Sequence, residues 1–157
     1  MTLVVDVANE TGDRVPLSRA RVGELARTAL RAEGVRNALL SVTFLSPRRI
    51  ASLNRGHLRR RGATDVIAFG FQRVGAQAPV IGDIYIAPGV ARANAKRLGI
   101  PLREELARLV IHGTLHVLGH DHPDGADRAR SAMWRAQERL LARSGHAPRR
   151  TGARSRS

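Results

Sequence analysis

The spacing of apolar residues changes several times along the chain, and each change marks an element. Residues 3–7 alternate weakly and predict a first strand, closed by the turn cluster Glu10-Thr11-Gly12-Asp13. Ser18 then stands as an N-cap for a helix to about residue 33. Val22, Leu25, Ala26, Ala29 and Leu30 fall at helical spacing and Gly34 is the stop. Residues 39–45 read as a second strand, and Ser46-Pro47 opens a helix to about residue 57 with proline at its first position. Arg59-Arg60-Arg61-Gly62 is a basic loop. Residues 64–71 and 80–86 predict two more strands, joined by a Gly/Ala/Pro-containing loop and able to pair as a hairpin. A short helix over 90–98 ends at Gly99. The strongest helical pattern follows over 102–118, and a last one over 124–142 places Ala129, Met133, Ala136 and Leu140 on one face. The expected fold is α+β, a four-stranded mixed sheet packed with about five helices.

Residues 1–143 suit a single domain, and 144–157 are polar, basic and aperiodic, the signature of a disordered tail. Aromatic residues are scarce, at one Trp, one Tyr and three Phe, so the core must be built from Val, Leu, Ile and Ala. There is no cysteine, which excludes disulfides and thiolate metal sites. The opening Met1-Thr2-Leu3-Val4-Val5-Asp6 has no basic region and is interrupted early by a carboxylate, unlike a secretory leader. With no apolar run of membrane-spanning length, a cytoplasmic protein without a membrane partner is expected.

Charge adds a partner. The net charge is +14, from 27 basic and 13 acidic residues, and Lys96 is the one lysine. Arginine in place of lysine is what a GC-rich genome produces, but that explains the kind of base and not the excess over acids. Five arginines from Arg143 onward carry no accompanying acid, leaving +9 on the body. A polyanion, nucleic acid above all, is the expected partner.

Four of the six histidines lie in His112-Gly113-Thr114-Leu115-His116-Val117-Leu118-Gly119-His120-Asp121-His122. His112 and His116 are four apart, one turn along the same helix face, where two imidazoles reach one ion. The apolar stripe of that helix, Leu106, Leu109, Val110, Gly113 and Val117, places both on its shoulder. Gly119 can turn the chain back, so that His122 approaches the same ion from outside the helix. Three neutral nitrogens leave a fourth tetrahedral position for water, the pattern of a catalytic Zn2+ site. His120 follows the helix stop and is expected to line the cleft or face solvent. The spacing is zincin-like, shared with a class of zinc proteases, but those need a glutamate after the first histidine and here that position is Gly113. Peptide hydrolysis by that route is therefore not expected.

This string resembles the signature of the YbeY family, bacterial rRNA maturation factors regarded as zinc-dependent endoribonucleases. The family usually has tyrosine where His120 stands. Leu53-Asn54 followed by Thr64-Asp65-Val66-Ile67-Ala68-Phe69 resembles a second family segment, with Ala68-Phe69-Gly70 in place of its Ser-Phe-Pro. Gly82-Asp83-Ile84-Tyr85-Ile86 matches a Gly-Asp-Ile strand, and residues 133–141 fit the closing helix; the likeness covers about residues 39–141. It implies cleavage of single-stranded RNA in maturation of the 16S rRNA 3′ end and in ribosome quality control, with rRNA, ribosomal particles and ribosome-associated proteins as partners. The family carries a functional arginine four residues after the asparagine of the Leu-Asn pair. Ungapped counting puts Leu58 there, so Arg59 takes the role after a shift of one, with Arg60 and Arg61 as alternatives. Asp121 is a candidate to orient a ligand imidazole, or completes a turn; Asp65 is a cleft carboxylate or a structural acceptor. Two other readings stay open: a ribosome-assembly RNA-binding protein with a mainly structural metal, and a zinc hydrolase of another substrate.

Overall fold

A computed structural model describes residues 2–58, 62–120 and 127–146. Its elements run β1 (Thr2–Asn9), α1 (Arg19–Ala32), β2 (Asn37–Phe44), α2 (Pro47–Leu58), β3 (Val66–Gly70), β4 (Val80–Ile86), α3 (Pro88–Leu98), α4 (Leu102–Val117) and α5 (Asp127–Arg143). The expected α+β arrangement of four strands and five helices is what forms. The sheet order is β1-β2-β4-β3. β1, β2 and β4 are parallel, and β3 closes an edge antiparallel to β4, the hairpin partner read from the sequence.

Local signals set the ends. Ser18 Oγ accepts from the Arg21 amide at 3.1 Å, the side-chain cap expected for α1. α3 starts two residues earlier than its apolar spacing indicated, because Pro88 is pre-set for a first helical position and needs no amide partner.

Strand alternation sorts the sheet into two faces. Ala38, Leu40, Val42 and Phe44 of β2, with Val80, Ile84 and Ile86 of β4, point into the main core. There they meet α1 through Val22, Leu25, Ala26, Ala29 and Leu30, and α4 through Leu106, Val110, Ile111 and Leu115. Among the described residues the opposite face is covered at one end, where Ile50 and Leu53 of α2 pack with Ile67, Phe69 and Tyr85. Elsewhere on that face Leu39 and Ile81 are exposed, and Ser41 Oγ donates to Asp83 Oδ1 at 2.6 Å.

One expectation about α4 needs correction. A single apolar stripe was read from its sequence, yet Ala107, Ile111, Thr114 and Leu115 are buried as well, together with Glu104 and Glu105. The reason is its position: α4 lies between the sheet and α1, α3 and α5, so nearly every side meets protein. No helix among the described residues is long and apolar enough to cross a membrane. Ser144 to His146 close α5, with the His146 amide donating to Leu141 O at 3.0 Å and Arg21 Nη2 bonded to Ser144 O. The remainder of the tail, 147–157, lies outside the described residues.

Candidate active site

The histidine helix is set against the sheet by small residues on both surfaces. A Cβ at Gly82 would come within 2.5 Å of Val117 Cγ1 and 2.8 Å of Phe69 O, and one at Gly113 within 2.7 Å of Ile84 Cγ2. With no side chain at either place, α4 approaches closely and its rotation is fixed. His112 and His116 then lie on its flank, neither fully buried nor fully exposed. Their ring centroids are 4.9 Å apart and their planes are inclined by 59°.

A chain of side chains orients His112. Its Nδ1 lies 2.7 Å from Oε1 of Gln137, a residue of α5 that is only 2% exposed. The amide cannot be turned over, because Gln137 Nε2 donates to Glu138 Oε2 at 3.0 Å. An amide oxygen only accepts, so Nδ1 of His112 carries a proton, which leaves Nε2 as the nitrogen able to face a ligand. Glu138 is in turn gripped by Arg108, whose Nε donates to Oε2 at 2.9 Å and whose Nη2 donates to Oε1 at 3.2 Å. Arg108 also donates to Glu105 at 3.1 Å and to Glu104 at 3.5 Å. Burial pushes the Glu105 carboxyl above the usual range despite the adjacent guanidinium. Arg108 is shifted upward by its carboxylates against the opposing effect of burial, and it stays charged.

Beside His112 a cleft of about 620 Å³ opens between β3, α3, α4 and α5. Asp65 and Val66 line it beside β3, Asn94 and Arg97 come from α3, and Trp134 stands on α5. Both readings of Asp65 apply: it lines the cleft, and its Oδ2 accepts from Asn94 Nδ2 at 3.2 Å.

Past His116 the helix ends as the sequence indicated. Gly119 has φ +99°, its amide donates to His116 O at 2.9 Å, and the next amide, of His120, reaches Leu115 O at 3.0 Å. These paired bonds cap the helix and turn the chain back. His120 does not simply face cleft or solvent: its Nε2 meets Glu33 Oε1 of the α1 C-cap at 2.6 Å, tying the turn to that helix. His122, Asp121 and Arg59 lie outside the described residues, as do Arg60 and Arg61. The base of the basic loop is nonetheless fixed, since buried Asn54 donates to Gly62 O at 3.1 Å. Among the described residues no group of three or more His, Cys, Asp or Glu is placed to hold a metal ion.

Sequence reasoning missed Gln137, Glu138, Arg108 and Asn94. Glu104, Glu105 and Arg108 carry a signal in their three- and four-residue spacing. Gln137 carries none, because its partner is 25 residues away on another helix. The donor chemistry suits a borderline-soft cation: two imidazoles one helical turn apart, one held through Nδ1 by the Gln137 amide oxygen.

An α+β protein with two histidines on one helix face beside a deep cleft is the class that this fold and site define. The family described as Endoribonuclease YbeY matches residues 6–145. An Endoribonuclease YbeY of Bacillus licheniformis is 36% identical over 156 residues, covering 92% of this chain and 97% of the relative. One from Thermobifida fusca is 37% identical over 146 residues, covering 88% and 92%. A Thermotoga maritima protein solved in solution shares the fold, with a TM-score of 0.60 at 22% identity over 90% of this chain and 89% of that one. The chain belongs to the YbeY endoribonuclease family, whose members are metal-dependent nucleases.

Proposed function

We propose that this chain is a zinc-dependent endoribonuclease that cuts single-stranded RNA in maturation of the 16S rRNA 3′ end and in ribosome quality control. The observation that carries the metal reading is the buried Gln137 amide, which holds the His112 proton on Nδ1 beside the His116 ring. His112, His116 and His122 are the residues that would hold the ion. When bound, zinc supplies Lewis acidity toward a phosphodiester and lowers the pKa of water.

The protein's own residues do the rest. Gln137, Glu138 and Arg108 keep the His112 ring from rotating. Arg59, on the loop whose base Asn54 secures, stabilises charge on the phosphoryl oxygens, and Asp121 orients a ligand imidazole. The net charge of +14 draws RNA in through its phosphates, so binding weakens steeply with salt. Because the substrate is ribosomal RNA, the cytoplasm is its place of action and ribosomal particles are its partners.

The test is metal analysis followed by cleavage of single-stranded RNA, comparing wild type with His116→Ala. The wild type is expected to carry about one zinc ion per chain and to cleave. The variant should lose both properties while keeping its fold. Equal cleavage by the two proteins would mean a contaminating nuclease and sink the proposal.

A further inference from the structure

We propose that the cleft beside His112 seats one unpaired RNA base, with Trp134 as the surface on which that base stacks. The inference rests on the endoribonuclease reading, because it concerns how the same site holds its substrate. Trp134 is the one tryptophan of the chain, and 53% of it is exposed at the cleft wall. It stands on α5 three residues before Gln137, on the same helix face and about 4.5 Å away along the axis. Gln137 is the residue that touches His112. A base lying on the indole is therefore within one nucleotide's reach of the imidazoles. Leu98, 57% exposed, with Ile100 and Leu109, completes an apolar wall of the kind that a flat ring covers well.

Charge decides which part of a nucleotide enters. Among the described residues Asp65, Glu104, Glu105 and Glu138 line the cleft against Arg97 and Arg108, and Arg108 is already engaged by three of those carboxylates. A phosphate would meet a net negative wall. A base is neutral, and its exocyclic amine suits the Asp65 carboxylate and the Asn94 amide oxygen at the cleft edge. The phosphates then stay outside the acidic cleft, drawn to the protein by its net charge of +14. An apolar side chain of a partner protein is the competing occupant, but it has no use for the acidic edge.

A lone tryptophan makes the test direct. Full-length protein is titrated with a short oligoadenylate, with an abasic ribose-phosphate oligomer of the same length, and with an apolar peptide, following tryptophan fluorescence. The oligoadenylate should quench Trp134, while the abasic oligomer binds without quenching. Trp134→Leu should weaken oligoadenylate binding about five- to hundred-fold and leave abasic binding unchanged. The salt dependence should stay the same, since no phosphate contact is lost. Trp134→Phe should recover most of the affinity, which separates stacking from a folding defect. Equal oligoadenylate affinity for Trp134→Leu and wild type, with RNA cleavage intact, overturns the base subsite and leaves the nuclease reading standing. Quenching by the peptide and not by the oligoadenylate also overturns it. A wild type that neither binds nor cuts RNA overturns both.

Discussion

The two halves of α4 are held in place by opposite means. Its N-terminal half buries charge: Glu104 and Glu105 are 4% and 6% exposed, and with Glu138 they surround Arg108. Its C-terminal half, which bears the histidines, is held by shape, through missing side chains at Gly82 and Gly113. The two meet at Gln137, which takes its orientation from Glu138 and gives His112 its own. The ring that would ligate a metal is thus aimed from the charged half and brought to the sheet by the close-packed half. Aim and placement are separable properties, and substitutions distinguish them.

Arg108→Met is expected to have the largest effect, because it removes the one cation from among three carboxylates. Breaking a buried ion cluster in this way costs about 3–5 kcal/mol, read as a fall in the urea midpoint. The loss should depend on pH. Burial already raises the Glu105 pKa above its unfolded value, and without the guanidinium the attraction that opposes this is gone. Stability is then present below the unfolded pKa and lost as pH rises through the folded one, so the deficit shrinks in acid. Zinc affinity should fall as well, since Glu138 no longer fixes Gln137. Gly82→Ala comes next, at about 1–3 kcal/mol for forcing a methyl against Val117 and the Phe69 carbonyl. Its cost should be the same at acid and neutral pH. If the two variants respond to pH alike, the division between a charged and a close-packed half is wrong.

How much of this was legible in the sequence follows the range of the interactions. Every strand and helix was visible, because period and caps are local: Ser18, Pro47, Gly34, Gly99 and Gly119 all stand at element ends. The pairing of His112 with His116 was legible from a four-residue spacing. The environment of α4 was not. Its stripe gave one buried face, whereas packing by α1, α3 and α5 depends on how distant segments dock. The same holds for Gln137 and for the Glu33 partner of His120, 87 residues away, which no periodicity reports. Trp134 carries no signal in the sequence beyond being the one tryptophan, and it is the fold that puts it at the cleft wall.

Gly119→Ala probes placement beyond the helix. Among the described residues no atom lies within 4 Å of an added Cβ, so the expected cost of about 1–2 kcal/mol is the backbone strain of φ +99°. The turn carries the chain toward His122. Zinc affinity, measured by competition with a chelator, should therefore drop further than thermal stability does. A variant that loses stability but binds zinc as wild type does would show that the turn has no part in presenting the third histidine.

Glu105→Gln should have the smallest effect and is the most pointed test of the charged half. Burial raises the Glu105 pKa first, Asp65 and Glu138 add to it, and attraction to Arg108 does not make up the difference. The folded pKa therefore lies above the unfolded one. Stability linked to this group is present below the unfolded pKa and is lost as pH rises through the folded value. At neutral pH the ionised carboxylate is a net cost, which the neutral amide removes while its oxygen still accepts from Arg108. The variant should be more stable than wild type by less than about 1 kcal/mol near pH 7, and no more stable in acid, where Glu105 is itself protonated. Urea midpoints at the two pH values decide it. A variant less stable at neutral pH would mean that the guanidinium outweighs burial, and the cluster would then be held together by all three carboxylates. The expected gain instead makes Arg108 the member it cannot lose, with Glu105 an acid it could spare.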